Sequence, residues 1–460
     1  MIYDVVVVGS GFSAIATVCN LIELLPASSA IAVIGDDPGF GRGTAYRTEL
    51  YLHRLNVPAA RMSLFPDRPD AFVQWLSEHD RSLSAGDFAS RNDYGLYVRD
   101  TLASLLRNRK SRCRVDFIKA KATGCMEQYR SSLAFFLDNG DEIAARSVVL
   151  CLGVGNAKLP VDLGHLSAAA RTRVVKNPWR LSWLHKVGAK DRVCILGSGL
   201  TMIDQVLALS AHGFEGQVDV LSRRGLAPHG HSRNPHHAAS IDIAALPTRM
   251  SKLLRSLRDE SRKTGDWRDV MDGLRPQTQA LWQRLDKSER ARFLRHALPW
   301  WNIHRHRVGP EVFQRFQDLV HDGKVVLHAG YLQEIEETND GLRLRYRARG
   351  RKDVLSLDAD WVVNCTGMER AGIDHSPLLR EMLRQKLISA DPLRLGIAVD
   401  GQSRVSRSGE EKGVQIHAVG ALTAGQFWEI TAVPDIRVQA RQVAQVLAGA
   451  SPPVSDARQF

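Results

Sequence analysis

The chain has 460 residues, 44% apolar and 24% charged, with a formal net charge of +12. That length calls for two domains with full cores, and that composition belongs to an ordinary globular protein, not to a disordered or fibrous one. No apolar run approaches the about 20 residues a membrane helix needs, and no basic N-terminal region leads into a long apolar stretch, so the expectation is a cytoplasmic protein without a membrane partner.

In chain order, the first element is YDVVVVGSGFSAIATVCNLIELL. A run of β-branched residues predicts a buried strand, and the amphipathic stretch after the glycines predicts a helix. Between them stands Gly9-Ser-Gly11-Phe-Ser13-Ala14, the GxGxxA spacing of a dinucleotide turn. Gly9 permits the tight turn, Gly11 lets backbone approach a pyrophosphate, and Ala14 lets helix and strand pack closely. The helix N-terminus adds free N–H donors for the phosphates. A second strand, AIAVIG, ends in Asp36-Asp37, where Asp36 is placed to bind a ribose hydroxyl.

The stretch from Gly41 to Ser63, GRGTAYRTELYLHRLNVPAARMS, is too glycine-rich at its start for a helix and too polar for a buried strand. It carries Tyr46, His53 and Arg54 ahead of an Asn56-Val57-Pro58 turn. Ser147 to Pro160, SVVLCLGVGNAKLP, is an apolar strand running into a glycine turn at Gly153 and Gly155. The dinucleotide pattern then returns in DRVCILGSGLTMIDQVLALSAHGFEGQVDVLSRRG, with Gly197, Gly199 and Thr201 at the turn. Its second strand ends in Ser222-Arg223-Arg224 where a bare 2′-hydroxyl would call for an acid. Arginines there suit a 2′-phosphate, which favours NADPH while leaving NADH open.

From Pro228 to about Gly309 the pattern is helical, with Met250, Leu253, Leu254 and Leu257 on one face. Between Arg249 and Arg307, 15 Lys+Arg stand against 7 Asp+Glu. Facing a cleft, such a segment would favour an anionic cofactor or substrate; the overall charge otherwise reads as solubility, with no nucleic-acid partner. His229, His231, His236 and His237 resemble a metal tract, but no carboxylate or cysteine set completes it, so no metal is expected. Strands return near KVVLHAG and LRLRYRARG, and ADWVVNCTGMER, Ala359 to Arg370, is a second apolar strand entering a glycine turn, at Gly367. The tail after Ala450 reads as disordered. The six cysteines contain no CxxC pair, which argues against a dithiol redox centre.

Two different dinucleotide turns imply two cofactors, and the usual pair is a resident flavin with a nicotinamide that comes and goes. The order places FAD at the first turn.

With GSGFSA, GRGTAY, HRLNVPAARMSLFPDRPDAFVQWL, SRNDYGLYVRDTL, LGSGLTMID, LSRRGLAPHGH, WNIHRHR, VVNCTG and HAVGALTAGQFWEITAVPDIRVQA in place, the chain resembles the two-dinucleotide-binding flavoproteins, and within them a bacterial family of FAD/NAD(P)-binding proteins. The resemblance implies an α/β fold of two Rossmann-type domains: a discontinuous FAD domain, 1–158 and 322–460, and a nicotinamide domain, 159–321, with a helical insertion at about 229–309. It also implies that Arg42 and Gly43 meet the pyrophosphate, and that Asn56 fixes a turn beside the flavin ring. Gly420, Trp428, Thr431 and Val433 would lie near the flavin, with N–H groups of 431–433 stabilising negative charge on it.

More distantly the chain resembles flavin monooxygenases that hydroxylate amines or insert oxygen beside ketones, and a bacterial FAD-dependent urate hydroxylase. The ketone-oxygenating fingerprint FxGxxxHxxxW is replaced here by VVKNPWRLSWLHKV. The resemblance therefore implies a monooxygenase that takes NAD(P)H, O2 and a small anionic or nitrogen-containing substrate, with His53, Arg54, Arg305 and Glu429 as candidates for substrate placement or proton handling. Two other classes stay open: a flavin oxidoreductase passing electrons to a quinone or protein, and a non-catalytic flavin-binding sensor.

Overall fold

The structure, a computed structural model, describes residues 2–37, 39–108, 113–128, 132–153, 155, 158–233, 237–367, 373, 375–407 and 413–449. His236, residues 368–370 and the tail after Ala450 lie outside them.

The first half lays down β1 (Ile2–Val8), α1 (Phe12–Leu24), β2 (Ala30–Ile34), α2 (Ala71–Glu78), α3 (Arg91–Arg107), β3 (Arg114–Ile118), β4 (Ala122–Gln128), β5 (Ser132–Leu137) and β6 (Glu142–Leu150). Strands β3, β2, β1 and β6 run parallel in that order, and β5 and β4 continue antiparallel from β6. The run Val5–Val8 is buried on both faces, as a central parallel strand requires. Val5 and Val7 pack with α1 and α3, and Val6 and Val8 with β5 and β6.

The second half begins with α4 (Ala168–Thr172), β7 (Val174–Val175), β8 (Val193–Leu196), α5 (Leu200–Ala211) and β9 (Val218–Ser222). Five helices follow: α6 (Met250–Thr264), α7 (Trp267–Leu274), α8 (Thr278–Arg284), α9 (Lys287–Arg292) and α10 (Leu298–Arg305), the last two joined by a π-helical turn, Phe293–Ala297. Then α11 (Pro310–His321) returns the chain to β10 (Val325–Thr338), β11 (Gly341–Ala348), β12 (Val354–Ala359) and β13 (Trp361–Asn364). The sheet order is β12-β11-β10-β9-β8-β13-β7. The first residues of β10 pair parallel with β9, and the rest of that long strand turns to pair antiparallel with β11.

The expected boundary at 321/322 is therefore corrected. Residues 325–364 belong to the second sheet, and the first is rejoined only by α12 (Pro377–Arg384), β14 (Gln415–Ala418) and α13 (Val433–Leu447). Apolar patterning identifies a strand but says nothing of which sheet receives it. β14 pairs parallel with Ser147–Leu150 of β6, so the first sheet is built from both ends of the chain. No helix among the described residues is long and apolar enough to cross a membrane.

Candidate functional site

Both glycine turns are built alike. Gly9 N–H donates to the Ile34 carbonyl and Gly197 N–H to the Leu221 carbonyl, each at 2.8 Å. Both glycines have positive φ, +135° and +97°, and a Cβ on them would collide with the carbonyl oxygens of Cys151 and Cys365. Those cysteines follow β6 and β13, the parallel neighbours of β1 and β8, so the two apolar strand-to-glycine segments do end beside the two turns. Gly11 and Gly199 precede their helices in extended conformation, with no side-chain cap on the helix N-terminus. Bare backbone donors are therefore offered at both places, as a pyrophosphate requires.

Around the first turn three distant segments converge. Gly41 N–H donates to the Ser10 carbonyl at 2.8 Å. Gly43, at φ +54°, lies so near Gly11 that a Cβ on it would come 3.2 Å from the Gly11 Cα. Gly420, at φ +87°, packs on Ser13, where a Cβ would meet Oγ at 2.5 Å; its N–H donates to Gln439 Oε1 of α13. The residues fit FAD. Among the described residues, the buried Arg42 Nε, Tyr94 hydroxyl and Trp428 Nε1 find no protein partner, and a polar, anionic dinucleotide can supply such partners.

At the second turn Ser222 Oγ accepts from Ser198 Oγ at 2.9 Å and from Gly225 N–H at 3.0 Å. Its side chain holds the turn together. Arg223 is exposed, and its carbonyl accepts from Arg349. The Arg224 guanidinium stands 6.0 Å from the ring centre of Trp300 on α10. Neither Arg223 nor Arg224 has a carboxylate partner among the described residues. At the other half, Asp36 is exposed and pairs with Lys121 at 3.2 Å. Gly153 has φ +65°, and Thr201 sits in the first turn of α5.

The insertion is clasped to the C-terminal segment. Glu429 accepts at Oε1 from Trp301 Nε1 at 2.5 Å and at Oε2 from Arg305 Nε at 2.8 Å, and His306 Nε2 lies 3.6 Å from Oε1. Glu429 and Arg305 are 7% and 12% exposed at their side chains, so the pair is nearly sealed. Glu429 also holds φ at +64°, outside the comfortable range of a side-chain-bearing residue. Next to it Trp428 stacks on Trp282 at 4.5 Å and 21°, with Phe293 edge-on at 5.5 Å. Asp435 meets Arg275 at 3.4 Å; burial, aided by the neighbouring Glu429 charge, outweighs the opposing Arg305 and Arg437 charges and pushes its carboxyl up to about 7.

The basic stretch thus does not form one open anion-binding wall. Arg307 pairs with Asp272, Arg275 and Arg305 with acids of the C-terminal segment, and Arg284 and Arg290 with backbone carbonyls. His231 Nε2 donates to the Asn56 carbonyl, 3.1 Å away, and burial holds its pKa down to about 4. His229 packs against Trp267 and His304.

Of the four side-chain candidates, Arg305 and Glu429 come together although 124 positions apart. His53 does not reach an open face and is corrected here. It is fully buried, with Nδ1 2.7 Å from Thr48 Oγ1 and Nε2 3.2 Å from the Asp204 carbonyl, and burial lowers its pKa. Arg54 lies over the Tyr51 ring at 4.4 Å and borders a narrow cleft shared with Asn56, Arg91, Leu200, Asp204 and Val308. Thr431 is also corrected: its N–H donates to the Glu429 carbonyl at 2.6 Å, which leaves the N–H groups of Ala432 and of Val433, the first residue of α13, as the candidate donors. Arg91, Asp204 and Asp435 escaped sequence reasoning, since nothing local in their surroundings announces a partner more than a hundred residues away.

Two mixed sheets with parallel centres, each entered through a glycine turn and a helix, with the second sheet interrupting the first, define the fold of the two-dinucleotide-binding flavoproteins. Residues 6–155 match the model of the FAD-NAD(P)-binding family, so this segment is an FAD-NAD(P)-binding domain. None of the curated proteins matches the chain. Solved structures do. The chain is similar to L-lysine 6-monooxygenase from Pseudomonas syringae, at 19% identity and TM-score 0.68 over 97% of this chain and 99% of that one. It is similar to an ornithine N-hydroxylase from Kutzneria sp. 744, solved with reduced FAD, NADP+ and L-ornithine, at 15% identity and TM-score 0.67 over 97% and 99%. A cadaverine monooxygenase from Erwinia amylovora, bound to FAD, matches at 15% identity and TM-score 0.68 over 100% and 98%. These likenesses establish the shared fold from end to end.

Proposed function

We propose that the chain is an FAD-dependent monooxygenase that uses NADPH and O2 to hydroxylate a small nitrogen-containing molecule. The observation that carries this reading is the pair of uncapped helix N-termini behind glycine turns, set in one fold that matches a lysine monooxygenase, an ornithine N-hydroxylase and a cadaverine monooxygenase along its whole length. Bound FAD supplies the redox chemistry, taking two electrons from NADPH so that one oxygen atom enters the substrate and the other leaves as water. The protein's share is to hold, orient and exclude. Gly9, Gly11, Ala14, Arg42 and Gly43 cradle the first dinucleotide; Gly197, Gly199 and Thr201 receive the second, with Arg223 and Arg224 reading a 2′-phosphate. Val433 N–H, at the positive end of α13, stabilises negative charge nearby. Arg305 and Glu429 form the substrate-side pair between insertion and C-terminal segment, and Arg54 meets anionic groups entering the cleft.

All six cysteines are buried, and burial raises the pKa of Cys125 and Cys151 to about 12 and those of Cys19, Cys194 and Cys365 still further, so none of these five thiols is poised as a thiolate for dithiol chemistry. The test is a panel of diamines, amino acids and purines, urate among them. NADPH oxidation, oxygen uptake and product mass are followed together, with NADH and the Arg223→Ala/Arg224→Ala variant alongside. The expected result is a substrate that gains one oxygen atom per NADPH, with NADH preferred only after the arginines are removed. NADPH oxidation that yields hydrogen peroxide alone, or that is faster with quinones without oxygen, would overturn the proposal in favour of an electron-transfer flavoprotein.

A further inference from the structure

A second polar contact between the two halves, besides the clasp at Glu429, involves neither glycine turn. Arg91 opens α3, where Ser90 Oγ caps the helix by accepting from Asn92 N–H at 3.0 Å and Asp93 N–H at 3.4 Å. With the helix end so fixed, Arg91 faces the loop behind the first turn: its amide donates to the His53 carbonyl at 2.9 Å and its Nε to the Arg54 carbonyl at 3.1 Å. Its Nη2 then crosses to Asp204 Oδ2 at 2.9 Å, and the guanidinium lies 5.2 Å from the Trp179 ring centre. Asp204 belongs to α5, the helix that begins at the second turn. It is held twice, by Arg91 at its carboxylate and by His53 Nε2 at its carbonyl. Donation from Nε2 requires Nδ1 to accept from the Thr48 hydroxyl, so a single neutral tautomer satisfies both bonds.

The Arg91 and Asp204 side chains are only 13% and 9% exposed. A buried charge pair adds little net stability but is costly to break on one side, and its geometry is narrowly defined. It also lines the same cleft as Asn56, from the turn expected beside the flavin, and Leu200, the first residue of α5. One bonded chain of contacts thus runs from the flavin-side loop to the helix that receives the nicotinamide dinucleotide.

We propose that Arg91 and Asp204 form a strut between the two nucleotide domains that sets the separation of the bound dinucleotides, making both of them positioning residues for electron transfer from NADPH to the flavin. The proposal rests on the two-cofactor reading above but not on oxygenation. A misplacement of about 1 Å can cost on the order of 100-fold in rate, so a strut has kinetic leverage that a surface ion pair lacks.

The test replaces both charges at once, Arg91→Met with Asp204→Leu, so that no lone charge is buried and the fold is kept. Single variants Arg91→Lys and Arg91→Met accompany it. FAD content, NADP+ affinity by calorimetry and anaerobic flavin reduction by saturating NADPH are measured. Spin labels on Glu142→Cys and Arg351→Cys, both exposed and one in each domain, report the interdomain distance. The strut predicts unchanged FAD content, NADP+ affinity within about 3-fold, flavin reduction slowed at least about 10-fold, and a broadened distance distribution, with Arg91→Lys intermediate. Reduction at the original rate, or a distance distribution as narrow as in the parent protein, overturns the strut. So does slowing that merely follows lost FAD or NADP+. A parent protein that NADPH does not reduce would defeat the functional reading instead, and the label distances would still decide for or against the strut.

Discussion

Gly11 and Gly199 offer the sharpest residue-level separation of fold from function. A methyl on Gly199 meets nothing within 4 Å, and on Gly11 its nearest neighbour is the Gly43 Cα at 3.9 Å, an ordinary contact. Both have negative φ, −84° and −86°, which alanine adopts freely. Gly11→Ala and Gly199→Ala are therefore expected to fold with little loss of stability, while the methyl stands where a pyrophosphate must come. Gly11→Ala should purify with less than about a tenth of the parent's flavin absorbance, and Gly199→Ala should keep its flavin and bind NADP+ at least about 10-fold more weakly. Yellow Gly11→Ala protein with full FAD content would show that the first turn is not the flavin's. At this scale the glycines were legible because their spacing has a mechanical reason. His53 was not: a polar residue in a loop near a cofactor can point either way, and here its ring turns inward to Thr48 and Asp204. Glu429, whose positive φ implies about 1–3 kcal/mol of local strain, could be suspected from position but not matched to Arg305 without coordinates.

At the scale of elements, the insertion's first helix behaves as its pattern requires. Met250 and Leu253 are buried, and Leu254 and Leu257 pack partly buried on the same cluster. Periodicity shows which face is covered but cannot say by what. The cover includes Trp428, from the far end of the chain, stacked on Trp282, whose Nε1 donates to the Gly425 carbonyl at 2.9 Å. Trp282 is 3% exposed, and cutting such a side chain to alanine costs ~3–5 kcal/mol. Trp282→Ala is expected to loosen α6–α10 while the sheets persist, giving new proteolytic cleavage within residues 250–305 at unchanged circular dichroism of the remainder. Equal protease resistance in the variant would mean that the tryptophan stack does not hold the insertion down.

For the whole molecule, charge inside the protein makes stability depend on pH in opposed ways. Asp435 titrates at about 7 in the folded state against about 4 when unfolded, so folding takes up a proton between those values. Its contribution to stability falls as pH rises through that window and is level above it. His231 and His417 act oppositely. Burial holds both near 4, the unfolded state binds their protons more tightly, and stability rises with pH from about 4 to about 6.5. The clean readout is the difference between Asp435→Asn and the parent, both saturated with FAD. The variant's melting temperature should gain on the parent's from pH 5 to pH 7 and then run parallel to it; a constant difference across that range would show that Asp435 is ionised throughout.

The return of β14 to Ser147–Leu150, and of Gly420 to Ser13, also imposes an order of assembly. Synthesis delivers every strand of the second sheet by residue 364, while the first still shows a bare strand edge awaiting a partner more than 250 residues downstream. Domains generally fold as units while the chain emerges, so the N-terminal half is expected to be completed after the half that follows it. A nascent chain stalled before residue 415 would carry an unpaired edge open to wrong partners, and it would leave the ribosome without its yellow colour.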